Sequence, residues 1–112
     1  MNGTFSALAE PNRLQIVELL RYRPLPVGQI AIKLRLNQPQ VSKHLRVLSE
    51  AGLVEMRPVA QQRIYALRPA PLKELDAWLE RYRRLWDDRM DRLEEIVNQQ
   101  QRNRKENNDG RR

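Results

Sequence analysis

The chain has 112 residues and is 40% apolar, which allows one domain with a modest core. It contains no cysteine, so disulfides, thiolate chemistry and Cys-ligated zinc are excluded, and its single histidine, His44, excludes most catalytic constellations. A net charge of +7 favours a polyanionic partner, either nucleic acid or an anionic membrane surface. No apolar run approaches the roughly 20 residues of a membrane-spanning helix, and the N-terminus lacks signal-peptide character, so a cytoplasmic protein is expected.

The charge is unevenly distributed along the chain. Residues 27–68 carry seven basic and two acidic side chains, a net +5. Residues 69–97 carry six basic and eight acidic side chains, a net −2, and residues 98–112 are net +3. The middle of the chain is therefore predicted to face the polyanion.

Three helices are predicted in the first third of the chain. Thr4 is placed to cap a short helix over residues 5–9, and Glu10-Pro11 opens a second one, because proline is tolerated at a first helical position. The second helix ends near Arg23, since the prolines at 24 and 26 disfavour the α conformation before them. The third has apolar residues at the spacing of one helix face: Val27, Ile30, Ala31 and Leu34.

A fourth helix is predicted to begin at Asn37 and to end at Ala51-Gly52. Asn37 is a good N-cap, and Gln40, three residues later, can complete a capping box. Its apolar positions are Val41, Leu45 and Leu48, while the opposite face is almost wholly polar and basic. Glycine accepts the left-handed conformation that ends helices, which explains the stop at Gly52.

The pattern then changes to strand and back to helix. Apolar residues at 53–56 and 64–67 flank a polar stretch, which predicts a two-stranded hairpin with its tip near residues 59–62. The tip lacks Gly, Asn and Asp, so the turn chemistry is poor. Pro69 and Pro71 break the second strand, and a long helix follows from Leu72 to about Val97.

The long helix carries an apolar seam with steps of three and four residues, in which Arg89 is the only polar member. The other members are Leu72, Leu75, Leu79, Tyr82, Trp86, Leu93 and Ile96. Such a seam requires a partner helix, and self-association is the economical solution. Residues 98–112 contain no apolar side chain and are predicted to be a disordered basic tail after one domain over residues 1–97.

The predicted fold is mainly α with a small two-stranded β-wing: a winged helix-turn-helix with a long C-terminal dimerisation helix. In that arrangement the helix from Asn37 to Ala51 enters the major groove of duplex DNA, and the wing contacts the backbone or minor groove. The recognition-helix residues predicted to contact DNA are Gln38, Gln40, Ser42, Lys43, His44 and Arg46. Those on the wing are Arg57, Gln61, Gln62 and Arg63.

Three stretches, residues 5–17, 40–48 and 51–54, make the chain resemble the ArsR/SmtB winged-helix repressors. The run Ser42-x-His44-Leu45-x-x-Leu48, followed by Ala51-Gly52-Leu53-Val54, is fairly specific to them. The resemblance implies a homodimer that represses by covering a promoter, with terminal helices at the dimer interface. With the seam, it predicts these interface residues: Phe5, Leu75, Trp78, Leu79, Tyr82, Trp86 and Leu93.

The chain departs from the metal-sensing members of that family. Many of them bind metal through cysteines near the recognition helix or through Asp and His pairs on the terminal helix, and neither cysteine nor a histidine on that helix is present. It resembles instead the subgroup without metal sites, through the stretch Leu75-Asp76-Ala77-Trp78-Leu79 and the later Trp86. No metal, no cofactor and no enzymatic activity are expected.

Other interpretations remain open at this point. The aromatic line Trp78, Tyr82 and Trp86 could hold an apolar or cationic inducer, and the carboxylates between Asp87 and Glu95 could hold a hard cation. A winged helix can also serve as a protein-docking module, in which case its basic face is incidental. A membrane-surface role is weak because the long helix has acidic rather than lysine-rich flanks. These sequence patterns do not specify the operator sequence, the inducing signal, or whether the protein represses or activates transcription.

Overall fold

The structure is a computed structural model that describes the backbone of residues 1–109 and the side chains of residues 1–105. It contains two compact units, one from Met1 to Leu75 and one beginning at Asp76, and each is described by itself. The elements in chain order are α1 (Asn2–Leu8), α2 (Pro11–Leu20), β1 (Leu25–Pro26), α3 (Val27–Leu34), α4 (Gln38–Glu50), β2 (Val54–Val59), β3 (Gln62–Leu67) and α5 (Pro69–Asp109).

The first helix begins earlier than predicted, and the role expected for Thr4 is wrong. Helix α1 begins at Asn2, so Thr4 lies inside it, where its side chain is buried. The N-cap of α2 is as the sequence indicates: Glu10 accepts a hydrogen bond from the Arg13 amide at 2.8 Å, and Pro11 occupies the first turn. Helix α3 covers the predicted Val27–Leu34, and Arg35 ends it in the left-handed conformation, with φ of 57°.

The sheet has one strand more than the predicted two-stranded hairpin. Its order is β1-β3-β2, antiparallel throughout, and β1 pairs Leu25 with Tyr65 and Pro26 with Ile64. Two residues are too few to produce an alternating pattern, which is why the sequence does not predict this strand. In the hairpin turn Ala60 has φ of 55°, so a residue other than glycine occupies the left-handed region.

The core of the first unit is assembled from one face of each helix and the start of the wing. Its fully buried side chains are Ile16, Ile30, Val41, Leu45, Leu48, Leu53 and Val54. Leu72, in the first turn of α5, packs against this cluster. Three of the seven come from α4, so the core fixes which side of that helix faces outward.

Helix α5 extends well beyond its predicted end. The sequence predicts a helix to about Val97 and an unstructured tail from Asn98, whereas the helix continues to Asp109. Gln, Arg, Lys and Glu have good helix propensity, and no Pro or Gly occurs between Asn98 and Asp109, so nothing interrupts the helix there. Residues 110–112 of the predicted tail lie outside the described residues. Across residues 1–109, no helix is long and apolar enough to cross a membrane.

Replacing Asn37 with alanine tests the capping of α4. The substitution removes the oxygen that accepts the Gln40 amide, so we expect the free energy of unfolding to fall by about 1 kcal/mol. The measurement is urea denaturation followed by circular dichroism. Asn98→Ala, an exposed helical asparagine without a capping role, is the matched control and should shift stability by no more than about 0.5 kcal/mol. Equal effects of the two substitutions would contradict the assignment.

Candidate nucleic-acid interface

Helix α4 presents a polar face whose orientation is fixed by its buried side. Val41, Leu45 and Leu48 are each 0% exposed, so rotation of the helix about its axis would bring apolar surface into water. Five of the six residues predicted to contact DNA are exposed, namely Gln38, Gln40, Ser42, Lys43 and Arg46, and the sixth, His44, is half-buried. The sequence therefore predicted the outward face of this helix correctly except at His44.

The N-terminus of α4 is closed by the predicted capping box. Asn37 Oδ1 accepts the Gln40 amide at 2.9 Å, and Gln40 Oε1 accepts the Asn37 amide at 3.4 Å. The carbonyl of the Gln40 side chain is therefore engaged within the helix, while its NH₂ group still has donors to offer. This limits Gln40 as a bidentate reader of a base.

A concave surface lies between α4, the start of α3 and the wing, and we call it the α4–wing concavity. It brings together five of the predicted DNA-contacting residues, which are Gln38, Ser42, Gln61, Gln62 and Arg63. Together they provide amide, hydroxyl and guanidinium groups, which suit base edges and phosphate oxygens. Gln40, Lys43, His44, Arg46 and Arg57 are not among the residues that line it.

Gln38 lies over the first turn of α3. Its Nε2 atom is 3.4 Å from the position that a Cβ atom on Gly28 would occupy. Gly28 also lines the α4–wing concavity. Gly28 and the Gln38 amide are therefore neighbours on the surface of the concavity.

Two predicted contact residues have partners within the protein. His44 is only 20% exposed, and its Nδ1 atom lies 3.7 Å from Glu10 Oε2, so it faces the N-terminus of α2. Arg57 pairs with Glu55 on the same strand, with Nε donating to Oε1 at 3.0 Å. A role for either residue at DNA would require exchange of these contacts, and both assignments stay predictions.

Sequence reasoning missed the contribution of α3 to the concavity. Gln29 and Ile32 line it, and Ile32 is 72% exposed although it is a large apolar residue. A signal was available, because Ile32 falls outside the apolar spacing of Val27, Ile30, Ala31 and Leu34 that defines the buried face of α3.

The predicted interface residues of the second unit lie along one side of α5 and are largely exposed. Tyr82, Trp86 and Leu93 are each at least half exposed, and Leu79 is 39% exposed. The rings of Trp78 and Tyr82 lie 4.8 Å apart between centroids. In the first unit, Leu75 is half-buried and Phe5 on α1 is 40% exposed. Their role at an interface stays a prediction.

Ion pairs occupy the flank of α5 beside this line. Arg83 donates to Asp76 Oδ1 and to Glu80 Oε2, each at 3.1 Å. Within the part of the chain that the structure describes, no group of three or more His, Cys, Asp or Glu side chains is arranged to hold a metal ion.

Comparison with known proteins gives consistent results. Residues 10–56 match the family of bacterial regulatory proteins known as the arsR family. The HTH-type transcriptional regulator Rv2034 of Mycobacterium tuberculosis is 44% identical over 78 residues, covering 70% of this chain and 73% of that protein. The transcriptional repressor SdpR of Bacillus subtilis is 29% identical over 79 residues, covering 70% of this chain and 88% of that protein.

Solved structures support the same assignment. The homodimeric winged helix-turn-helix DNA-binding domain of a possible ArsR-family regulator from Mycobacterium bovis superposes with a TM-score of 0.62 at 30% identity, covering 70% of this chain and 73% of that one. The predicted fold class and family are thereby confirmed, and the family consists of regulators of transcription and not of enzymes. The chain belongs to the arsR family of bacterial regulatory proteins and has their winged helix-turn-helix fold.

Proposed function

We propose that this protein is a homodimeric, sequence-specific repressor that binds an inverted-repeat operator in duplex DNA in the cytoplasm. The observation that carries the proposal is the α4–wing concavity, which joins hydrogen-bonding groups of a helix and a hairpin on one surface. A helix of 13 residues with a buried apolar face and a free polar face fits the major groove, and an adjacent hairpin suits the flanking backbone.

The side chains divide into base readers and positioning contacts. Gln38, which lines the concavity, is the better candidate for an adenine edge, because the Gln40 carbonyl is engaged in the capping box. Lys43 and Arg46 are long, exposed and cationic, which suits guanine or phosphate. Ser42 and the wing residue Arg63 suit phosphate oxygens, which set the register of the protein on the duplex.

A homodimer is supported by the exposed apolar line on α5 and by the homodimeric Mycobacterium bovis relative. A two-fold axis presents two copies of α4 to half-sites separated by one turn of DNA, about 34 Å. The operator that fits such a protein is an inverted repeat, because the symmetry of the site mirrors that of the dimer.

Repression is supported by the similarity to the Bacillus subtilis repressor. A dimer bound over a promoter excludes polymerase by occupancy alone, so this chain requires no further activity to act as a repressor. Transcription in vitro from a promoter containing the selected operator should decrease as the dimer is added; an increase would identify an activator instead.

Selection of binding sites from random duplex DNA tests sequence-specific binding. We expect the parent protein to enrich an inverted repeat and the Gln38→Ala, Lys43→Ala double variant to lose at least about tenfold in affinity for it, since each good base contact contributes about 1–3 kcal/mol. Lys73→Ala on α5 removes the same charge elsewhere and should bind like the parent. If a folded, dimeric parent enriches no sequence, the proposed DNA-reading role is wrong.

Salt dependence measures the phosphate contacts. If each protomer neutralises three to five phosphates, the logarithm of the association constant for the operator should change by roughly −5 to −9 for each tenfold increase in salt concentration. Lys43→Ala removes one such charge per protomer if Lys43 binds phosphate, and it should make the slope shallower by about 2 for the dimer. Fluorescence anisotropy with a labelled operator gives these slopes, and a flat response would exclude electrostatic binding to the backbone.

A further inference from the structure

The seam of α5 contains one charged residue with no acidic partner on its own helix. Arg89 lies in the apolar spacing, and the residues three and four positions away are Leu85, Trp86, Arg92 and Leu93. The carboxylates nearest in sequence, Asp87, Asp88 and Asp91, lie at least about 100° away around the helix. Among the ion pairs of the described residues, none involves Arg89.

Arg89 instead borders an aromatic notch on the surface of α5. The notch is lined by Tyr82, Leu85, Trp86 and Arg89. These positions follow the spacing i, i+3, i+4 and i+7, which is that of a hole receiving one side chain of a facing helix in a coiled coil. Trp86 is 67% exposed and Tyr82 is 50% exposed, so a facing helix has aromatic surface to cover.

The seam between Leu79 and Ile96 is the same when read in either direction. Its members lie at 79, 82, 86, 89, 93 and 96, with steps of 3, 4, 3, 4 and 3. Two antiparallel copies of this stretch can therefore be aligned so that each of its six residues meets another of the six. Leu72 and Leu75 belong to the first unit and lie outside this stretch. In a two-fold interface, if residue i contacts the partner's residue j, then j also contacts the partner's i. Each pair of facing residues therefore occurs twice in this alignment.

Parallel and antiparallel pairing place Arg89 in different surroundings. A parallel pair puts Arg89 against the partner's Arg89, and two guanidinium groups in a desolvated seam repel each other. The antiparallel alignment puts Arg89 against the partner's Trp86, whose ring attracts a cation at its face. The neighbouring layers are then apolar, Tyr82 with the partner's Leu93 and Leu79 with the partner's Ile96.

We propose that Arg89 sets the orientation and register of the α5 pair by stacking on Trp86 of a second copy of this chain, with the two helices antiparallel. The inference rests on the homodimer of the proposed function. A shift of one heptad would place Arg89 against the partner's Leu79, where no ring receives the cation. A single polar residue in an otherwise apolar seam disfavours other orientations and registers of the two helices in this way, at some cost in stability.

Disulfide mapping tests the arrangement, because the chain has no native cysteine. The cysteine variants are incubated in a redox buffer in which disulfides form and exchange reversibly. Leu79→Cys alone should then form little disulfide-linked dimer. An equimolar mixture of Leu79→Cys and Ile96→Cys should form the mixed dimer. A self-linked Leu79→Cys dimer would show parallel pairing and overturn the proposal, as would a dimer that links in neither experiment. A parent protein that is monomeric by light scattering would instead refute the homodimer itself.

A second set of variants isolates the role of Arg89. Arg89→Leu should leave the protein dimeric. When both cysteine variants also carry Arg89→Leu, the ratio of self-linked to mixed disulfide in their equimolar mixture should rise by about tenfold, because the repulsion that disfavours the parallel pair is gone. Arg84→Leu makes the same replacement at an exposed position outside the seam and should leave the ratio unchanged. An Arg89→Leu ratio equal to that of the parent would overturn the proposal.

Discussion

Burial of one face of α4 is the constraint on which the DNA-facing surface depends. Val41, Leu45 and Leu48 are fully enclosed, and each contributes about 1.5–3 kcal/mol relative to an exposed side chain. Any rotation that moved Gln38 or Ser42 away from the concavity would expose this apolar surface. Packing of the buried face of α4 therefore sets the orientation of the candidate interface. The exposed side chains of α4 are not needed for that packing and are available to contact a ligand.

The hairpin completes that surface through a different constraint. Strand β3 lies between β1 and β2. It pairs with β2 along its whole length and with β1 at Ile64 and Tyr65, so main-chain hydrogen bonds hold its position. Its first residues, Gln62 and Arg63, extend to the concavity, while Ala66 near its other end is buried. The polar start of β3 therefore reaches the concavity, and its apolar end lies in the core.

Much of the fold could be predicted from the sequence because periodicity and capping chemistry are local signals. The spacing of Val41, Leu45 and Leu48 and the Asn37 to Gln40 capping box predicted α4 almost to the residue. The two-residue strand β1 and the inward orientation of His44 depend on contacts with β3 and Glu10, which are distant in sequence and leave no periodic trace. The sequence predicted the end of α5 too early, because residues 98–112 have no apolar side chain to bury. Helix formation to Asp109 requires only residues of good helix propensity and no Pro or Gly to interrupt them.

The central claim is that α4 enters the major groove, and dimethyl sulfate protection tests it most directly, since this reagent methylates guanine N7 in that groove. On a duplex bearing the selected operator, two protected guanine patches about one helical turn apart are expected, with protection lost in the Gln38→Ala, Lys43→Ala variant. Saturating binding without protection of guanine N7 in either half-site would contradict insertion of α4 into the major groove.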